Sequence, residues 1–284
     1  MGDQTAIAAA RAGNHTLSVL RIKQRSRSLA RPPRLVEHEV ELAIDPRHDG
    51  IRVAHITDVH CGLVTPAAHV RRAVELANSA QPDLVIMTGD YVCWNRREIP
   101  LIEQQLCGLE AEHVFVTLGN HDYYAGGKHV AEAMRAIGYR VLRNEHRTVQ
   151  VRGAPLHVVG VDDPVTRRHD VGRSFAGVPA GGTRLVACHC PEQIHAIAEQ
   201  GAHLMLSGHT HGGQINVKGI TDRVFRNMGR RYLGGFYTIA ETLLYVSPGV
   251  GFSGVRVRVG RGTRSEVSIF TLRDVAPAAS MRVR

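Results

Sequence analysis

Apolar stretches and helical patterns alternate along the first half of the chain. Short apolar runs bounded by polar residues predict strands, and apolar residues repeating every three or four positions predict helices. The predicted strands are Val40–Ile44, Ile51–Ile56, Leu84–Met87 and Val114–Leu118. The predicted helices are Pro66–Ala80 with Thr65 as its cap, a helix within Glu98–Leu109, and Lys128–Ile137, which stops at Gly138. This βαβαβ order is typical of a parallel sheet covered by helices.

The second half has shorter strands and one clear helix, Pro191–Glu199. Its predicted strands are Thr148–Arg152, Leu156–Val161, Arg184–Cys188, Leu204–Leu206, Gln214–Val217, Leu243–Val246 and Val267–Leu272. Together the two halves predict an α/β protein in which helices cover packed sheets.

Composition places the chain among globular proteins, because 43% of its 284 residues are apolar and 21% are charged. The net charge of +9 sits at the ends: residues 1–36 hold seven basic residues and one acidic residue, and residues 255–284 hold seven and two. We therefore expect a basic N-terminal arm (1–36), one domain (37–274) and a tail (275–284). A nucleic-acid partner is not favoured, since the body of the chain is slightly acidic.

The cysteines favour a reducing compartment. They are five in number and show no CxxC spacing. No stretch of the sequence reaches the ~20 apolar residues of a membrane span. The expected location is cytoplasmic, with peripheral membrane contact as the alternative, and no obligate protein partner is inferred.

Polar residues able to bind metal follow the ends of the predicted strands, where α/β proteins build their sites. An i, i+2 pair in extended backbone directs both side chains to one side, so Asp58 can converge with His60, and His209 with His211. The full set of candidate ligands is Asp58, His60, Asp90, Asn120, His189, His209 and His211. Carboxylate, imidazole and amide ligands favour Mn, Fe or Zn over Mg. Seven ligands suit two divalent transition-metal ions bridged by a carboxylate, an arrangement used in phosphoryl chemistry.

The blocks DxH, GD, GNHD, a lone His after a strand, and GHTHGGQ occur in the order found in calcineurin-like metallophosphoesterases, which the chain resembles. GHTHGGQI is more narrowly similar to a bacterial subgroup that is often associated with membrane or wall. The resemblance implies a four-layer αββα sandwich of two mixed sheets flanked by helices. It also implies that Asp58, His60 and His211 hold one ion, that Asn120, His189 and His209 hold the other, and that Asp90 bridges them.

The resemblance further implies that His121 is catalytic and donates a proton or hydrogen bond to the leaving oxygen. Asp122 would orient this imidazole; the alternative is that it caps the following turn. Cys188 and Cys190, which flank His189, are expected to face away from the ions and pack as small apolar groups.

Two segments are candidates for choosing the substrate. Gly160–Asp170 contains the pairs Asp162-Asp163 and Arg167-Arg168, and Gly219–Gly235 combines Arg with aromatic and Met residues. The second segment suggests a lid in which Arg226, Arg230 and Tyr232 bind the substrate. A solvated loop with a few core anchors is the alternative.

The expected activity is hydrolysis of a phosphodiester or pyrophosphate bond, in a substrate that is lipid-linked or a nucleotide sugar, by a hydroxide that bridges the metals. A phosphomonoesterase or nucleotide phosphodiesterase would share these motifs. A metal-stabilised protein that docks on membrane, wall or nucleic acid is the alternative from another class. His121 argues against this alternative, because a structural metal site does not require an imidazole that is not a ligand.

Overall fold

Two six-stranded mixed sheets lie face to face. The computed structural model describes residues 31–275. The first sheet has the order β1-β12-β2-β3-β4-β5, formed by Arg34–Leu42, Glu266–Asp274, Arg52–Ile56, Leu84–Thr88, His113–Thr117 and Arg140–Val141. The second has the order β10-β11-β9-β8-β7-β6, formed by Gly235–Ile239, Thr242–Val246, Leu204–Ser207, Thr183–Cys188, Ala154–Val161 and Glu145–Val151.

Helices cover the outer faces of both sheets. In chain order α1 to α7 are Ala67–Ser79, Pro100–Leu106, Asn120–Ala125, Gly127–Ala136, Val171–Phe175, Ile194–Ala198 and Thr221–Asn227. Apolar residues of α1, α2 and α4 pack in one cluster with the first sheet, and those of α5 and α6 in another with the second. These layers confirm the predicted αββα sandwich.

The strands are apolar on both faces because each separates two cores. In β3, Leu84 and Ile86 belong to the core between the sheets, whereas Val85 and Met87 belong to the core beneath the helices. This alternation follows from the two-residue period of a strand. It explains why the sequence shows continuous apolar runs here.

Parallel pairing brings the carboxyl ends of the central strands to one edge. In the first sheet β2, β3, β4 and β5 are parallel, and in the second β7, β8, β9 and β11 are parallel. β12 runs antiparallel to β2 and parallel to β1, so the two ends of the described chain pair with each other. The polar loops that follow the central strands therefore gather at one end of the sandwich.

Several local predictions were wrong. The segment Gln214–Val217 is not a strand; within it only Ile215 forms an isolated bridge, to Val259. Thr65 does not cap α1, because its hydroxyl accepts a hydrogen bond from the Phe252 N–H (3.1 Å). The predicted helix Pro191–Glu199 is a 3₁₀ turn followed by the short α6. Helices α3, α5 and α7 were not predicted.

The predicted basic arm lies largely outside the described residues, as does the tail after residue 275. β1 begins at Arg34, three residues before the predicted start of the domain. Within residues 31–275, no helix combines the length and the apolar character needed to cross a membrane.

Candidate metal centre

Loops after five strands carry the candidate ligands: β2, β3, β4, β8 and β9. Five of the seven candidates have backbone in the left-handed region, with φ between 50° and 72°; they are Asp58, His60, Asp90, His209 and His211. Such conformations are uncommon for residues with side chains and concentrate at functional sites. The chain turns sharply at each strand end and directs these side chains into a shared space.

Two glycines let these loops approach closely. A β-carbon at Gly208 would overlap the Asp58 carboxylate, and a β-carbon at Gly119 would overlap that of Asp90. Only glycine therefore fits at these two positions, because any side chain would collide with a candidate ligand.

One group of ligand atoms comprises Asp58, His60 and His211, all buried. His60 Nε2 lies 3.0 Å from His211 Nε2, and His211 Nε2 lies 3.4 Å from Asp58 Oδ1. The expected convergence of Asp58 with His60 is therefore present, although their backbone is left-handed and not extended.

A second group comprises Asp90, His189 and His209. His189 Nε2 lies 3.2 Å from Asp90 Oδ2 and 3.2 Å from His209 Nδ1. His209 and His211 belong to different groups, so the expectation from spacing that they converge on one point was wrong.

Asp90 lies between the two groups. Its Oδ2 atom is 3.8 Å from His60 Nε2 as well as 3.2 Å from His189 Nε2. Burial alone would raise the pKa of Asp90, but the imidazoles of His189, His121 and His60 outweigh it and hold the pKa well below its usual value. Asp90 is thus an anion surrounded by nitrogen atoms.

The chemistry of this donor set fits divalent cations. Two pairs of imidazole nitrogens face each other at about 3 Å, so each pair shares a proton in a hydrogen bond or binds a cation in its place. Burial lowers the pKa of His60 to about 3 and that of His211 well below its usual value, so both are neutral, the form that binds metal. Asn120 Oδ1 is buried without a hydrogen-bond partner among the described residues.

His189 is oriented by its other ring nitrogen. Nδ1–H donates to the Thr88 carbonyl (2.7 Å), which leaves Nε2 directed at Asp90. Burial opposes protonation, but the Asp90 charge raises the pKa of His189 to about 10. A divalent cation would displace this proton.

His121 also belongs to a third group of residues that could hold an ion, together with His60 and Asp90. Its Nδ1–H donates to the Cys93 carbonyl (2.6 Å), and its Nε2 lies 4.0 Å from Asp90 Oδ2. The ring contacts Trp94 at a centroid distance of 4.1 Å. Trp94 was not predicted from the sequence, where the available signal was that it is the only tryptophan of the chain.

The contacts of Asp122 correct the role expected for it. Its carboxylate accepts hydrogen bonds from four backbone N–H groups, those of Asp90, Tyr91, Val92 and Gly119. The partner of His121 Nδ1 is the Cys93 carbonyl instead. Asp122 therefore ties together the loops after β3 and β4, and orients the ligands that these loops carry rather than the His121 imidazole.

Arg258 is a second residue of the site that was not predicted from the sequence. It donates to the carbonyls of Pro248 (2.7 Å) and Thr263 (2.8 Å), and its Nη2 lies 3.1 Å from His211 Nδ1. It holds the loop after β11 against the first ligand group. Its sequence signal was weak, since the chain has many arginines.

The two cysteines that flank His189 are both buried but have different contacts. Cys188 packs in the outer core of the second sheet, as expected, whereas the Cys190 thiol donates to Glu192 (2.8 Å) and contacts Arg230 (3.3 Å). All five cysteines are free.

The three predicted substrate-binding residues are not equivalent. Tyr232 is buried and its hydroxyl contacts His195 Nε2 (3.0 Å), so it anchors the segment to the core. Arg226 is exposed on α7. The charge of Arg230 helps to lower the pKa of the His209 imidazole. Burial and the neighbouring His189 have larger effects in the same direction.

The sequence matches the family model for calcineurin-like phosphoesterases over residues 51–213, which is more than half of the chain. The chain therefore belongs to this family. The matched region contains both ligand groups and His121.

Relatives carry related names. A zebrafish (Danio rerio) transmembrane protein with a metallophosphoesterase domain is 26% identical over 86% of this chain, which spans only 58% of that relative. The Escherichia coli phosphodiesterase YaeI is 27% identical, with 78% of this chain and 82% of YaeI covered. Among solved structures, the 5′-nucleotidase precursor of Thermus thermophilus matches at 13% identity and a TM-score of 0.49, covering 78% of this chain and 54% of its own.

Proposed function

We propose that the protein hydrolyses a phosphodiester or pyrophosphate bond at a centre of two divalent ions. Asp58, His60 and His211 would hold one ion, Asn120, His189 and His209 would hold the other, and Asp90 would bridge. The observation that carries the proposal is the position of Asp90, whose Oδ2 faces a nitrogen of each group. When bound, such ions supply Lewis acidity toward the phosphate and lower the pKa of water.

The chain's own residues supply the remaining chemistry. His121 donates from Nδ1–H to the Cys93 carbonyl, so in the imidazolium form its second proton, on Nε2, is the one available to the leaving oxygen. Contact with Trp94 fixes the plane of the ring. The leaving group would thus be protonated from the side of the loop that follows β4.

A test begins with metal content. We expect purified protein to bind two equivalents of Mn, Fe or Zn and to hydrolyse bis-p-nitrophenyl phosphate faster than p-nitrophenyl phosphate. Asp90→Ala should lose at least one equivalent and most of the activity, because both ions lose a ligand. Glu75→Ala, which removes an exposed carboxylate on α1, is the matched control. Retention of two ions and of the wild-type rate by Asp90→Ala would contradict the shared-carboxylate arrangement.

We further propose that the substrate carries a lipid and that the enzyme acts at a membrane surface. Large apolar side chains exposed by more than 45% are concentrated around α7: Ile215, Val217, Ile220, Val224, Met228 and Val259. Elsewhere in the described residues only Leu63 is as exposed. Ile220, Val224 and Met228 have i, i+4 spacing and so share one face of the helix.

The position of this apolar surface and the basic residues beside it support a role in substrate choice. α7 follows the His211 loop closely, and Lys218, Arg223 and Arg226 accompany the apolar residues. Exposed apolar surface with basic residues is typical of contact with anionic lipid.

A further inference from the structure

An arginine-lined cavity of about 570 Å³ lies between α4, the start of β6 and the loop after β7. Seven charged residues line it: Arg135, Arg143, Arg167, Arg168, Arg173, Glu145 and Asp162. Neither the family motifs nor the proposed metal centre accounts for this excess of positive charge.

The carboxylates of the cavity already have partners. Asp162 pairs with Arg143 (3.2 Å), and Glu145 pairs with Arg147 (3.1 Å), which is not a lining residue. Within residues 31–275, the side chains of Arg135, Arg167 and Arg173 have no carboxylate within ion-pair distance. The cavity therefore concentrates positive charge that an anion would stabilise.

The loop that presents these arginines is held by polar contacts. Asn144 donates to the Arg168 carbonyl (2.7 Å) and accepts from the N–H groups of Asp162 and Asp170 (both 2.9 Å). The Arg168 guanidinium lies 4.5 Å from the centre of the Tyr123 ring. These contacts fix the loop backbone and the Arg168 guanidinium before any ligand arrives, which reduces the entropy lost on binding.

Two contacts link the lining of the cavity to loops that carry candidate ligands. β7 is parallel to β8 with Val161 opposite Cys188, so Asp162 leaves the sheet beside His189. Tyr123, two residues after His121, donates its hydroxyl to Asp162 Oδ2 (2.7 Å). The Tyr123–Asp162 hydrogen bond thus connects the lining of the cavity to the loop that carries His121.

We propose that this cavity binds a second phosphate of the substrate, a phosphate monoester or terminal phosphate separate from the bond that is cleaved. The inference rests on the proposed function, because it assigns the second phosphate to the molecule cleaved at the metal centre. Guanidinium groups suit this ligand, since their planar N–H pairs match phosphate oxygens. An isolated carboxylate would be a weaker ligand, because it has one charge and two acceptor oxygens.

The test compares two chromogenic diesters that differ by one phosphate. These are thymidine 5′-(p-nitrophenyl phosphate) and its 3′-phosphorylated form, and both release p-nitrophenol. We expect kcat/KM of wild-type protein to be about tenfold higher for the phosphorylated form, mainly through KM, and this ratio to fall with added salt. Arg167→Gln/Arg173→Gln should bring the ratio close to one while leaving the unphosphorylated ester unaffected.

A matched control is Arg71→Gln/Arg72→Gln, which removes two exposed arginines from α1 and should leave the ratio unchanged. A wild-type ratio of one, or a ratio that survives in Arg167→Gln/Arg173→Gln, overturns the inference. If neither ester is hydrolysed, the proposed function fails. The cavity is then tested separately by calorimetric titration of the protein with inorganic phosphate and pyrophosphate after chelation of metal. Binding that is weakened by the cavity variant supports the site, and binding that is the same in both overturns it.

Discussion

At the residue scale, His121 and Asp122 are neighbours in the sequence, which suggested that they act together. Their hydrogen bonds show that they have different roles. His121 is oriented by a backbone carbonyl, and Asp122 by contrast satisfies backbone N–H groups of two loops. The two residues therefore make different predictions when substituted.

His121→Ala should keep both ions and lose about 10²–10⁴-fold in rate, because it removes a proton donor and no ligand. The loss should be smaller for p-nitrophenyl esters than for alkyl esters, whose leaving groups need the proton more. Metal analysis and kcat on both ester types measure this. An equal defect on both would exclude proton donation and leave only phosphate positioning.

Asp122→Ala should lower the free energy of unfolding by at least about 3 kcal/mol and reduce metal content, because several buried N–H groups lose their acceptor. Chemical denaturation and elemental analysis measure the two effects. The leaving-group dependence of the residual activity should remain that of wild type. Wild-type stability together with the leaving-group behaviour of His121→Ala would instead support an orienting role.

Buried histidines predict how stability responds to acid. Burial lowers the pKa of His55 to about 3 and that of His203 to about 4, while an unfolded histidine titrates near 6.5. Below pH 6.5 the unfolded chain therefore binds protons that the folded chain refuses, and stability falls until the folded pKa is reached. His55→Gln should reduce the slope of unfolding free energy against pH by about 1.4 kcal/mol per unit between pH 6 and 4. An unchanged slope in urea titrations at several pH values would exclude His55 as a source.

At the scale of elements, the observed secondary structure differs most from the sequence-based prediction in short segments. Gln214–Val217 has the apolar alternation of a strand, yet the left-handed backbone at Gln214 and the contact of its side chain with Ser253 and Val255 turn the chain away from the sheet. α3 consists of Asn120–Ala125, whose polar start resembles a loop in sequence. The Asp122 carboxylate, by accepting from Gly119, helps to start this helix.

The apolar face of α7 makes a prediction at this scale. Val224→Ser/Met228→Ser should raise KM for a diester presented in anionic phospholipid vesicles and leave bis-p-nitrophenyl phosphate turnover unchanged, because each buried CH₂ contributes about 0.8 kcal/mol. Co-sedimentation with the same vesicles measures the loss of binding directly. Leu63→Ser, at the remaining highly exposed apolar residue, is the control. Equal defects on both substrates would assign α7 a structural role.

At the scale of the whole molecule, the first and last described strands close one edge of a sheet. β1 pairs in parallel with β12 over nine residues and buries Val40 and Leu42 in the core between the sheets. β12 in turn pairs with β2, which leads to the first ligands. The stability of the site therefore depends on contacts between residues more than 200 positions apart.

Deletion from the N-terminus tests this arrangement. Residues 1–30 lack periodic apolar content, so their removal should leave the melting temperature and the turnover of soluble esters unchanged. Removal through Leu42 should prevent stable folding, because β12 would lose its partner on that edge and the core would lose two fully buried side chains. Thermal unfolding of both truncations decides this, and a large fall for the shorter deletion would show that residues 1–30 pack on the domain.

The sequence by itself determined the longer strands and helices of the first half, the layered architecture and the residue types that follow the strand ends. It could do so because buried parallel strands are continuous apolar runs, and because metal ligands need particular residue types after them. The tertiary structure alone decided what Asp122 contacts and how Trp94 and Arg258 take part. Those contacts form between side chains that are far apart in the sequence, at turns with left-handed backbone. They therefore cannot be predicted from local sequence.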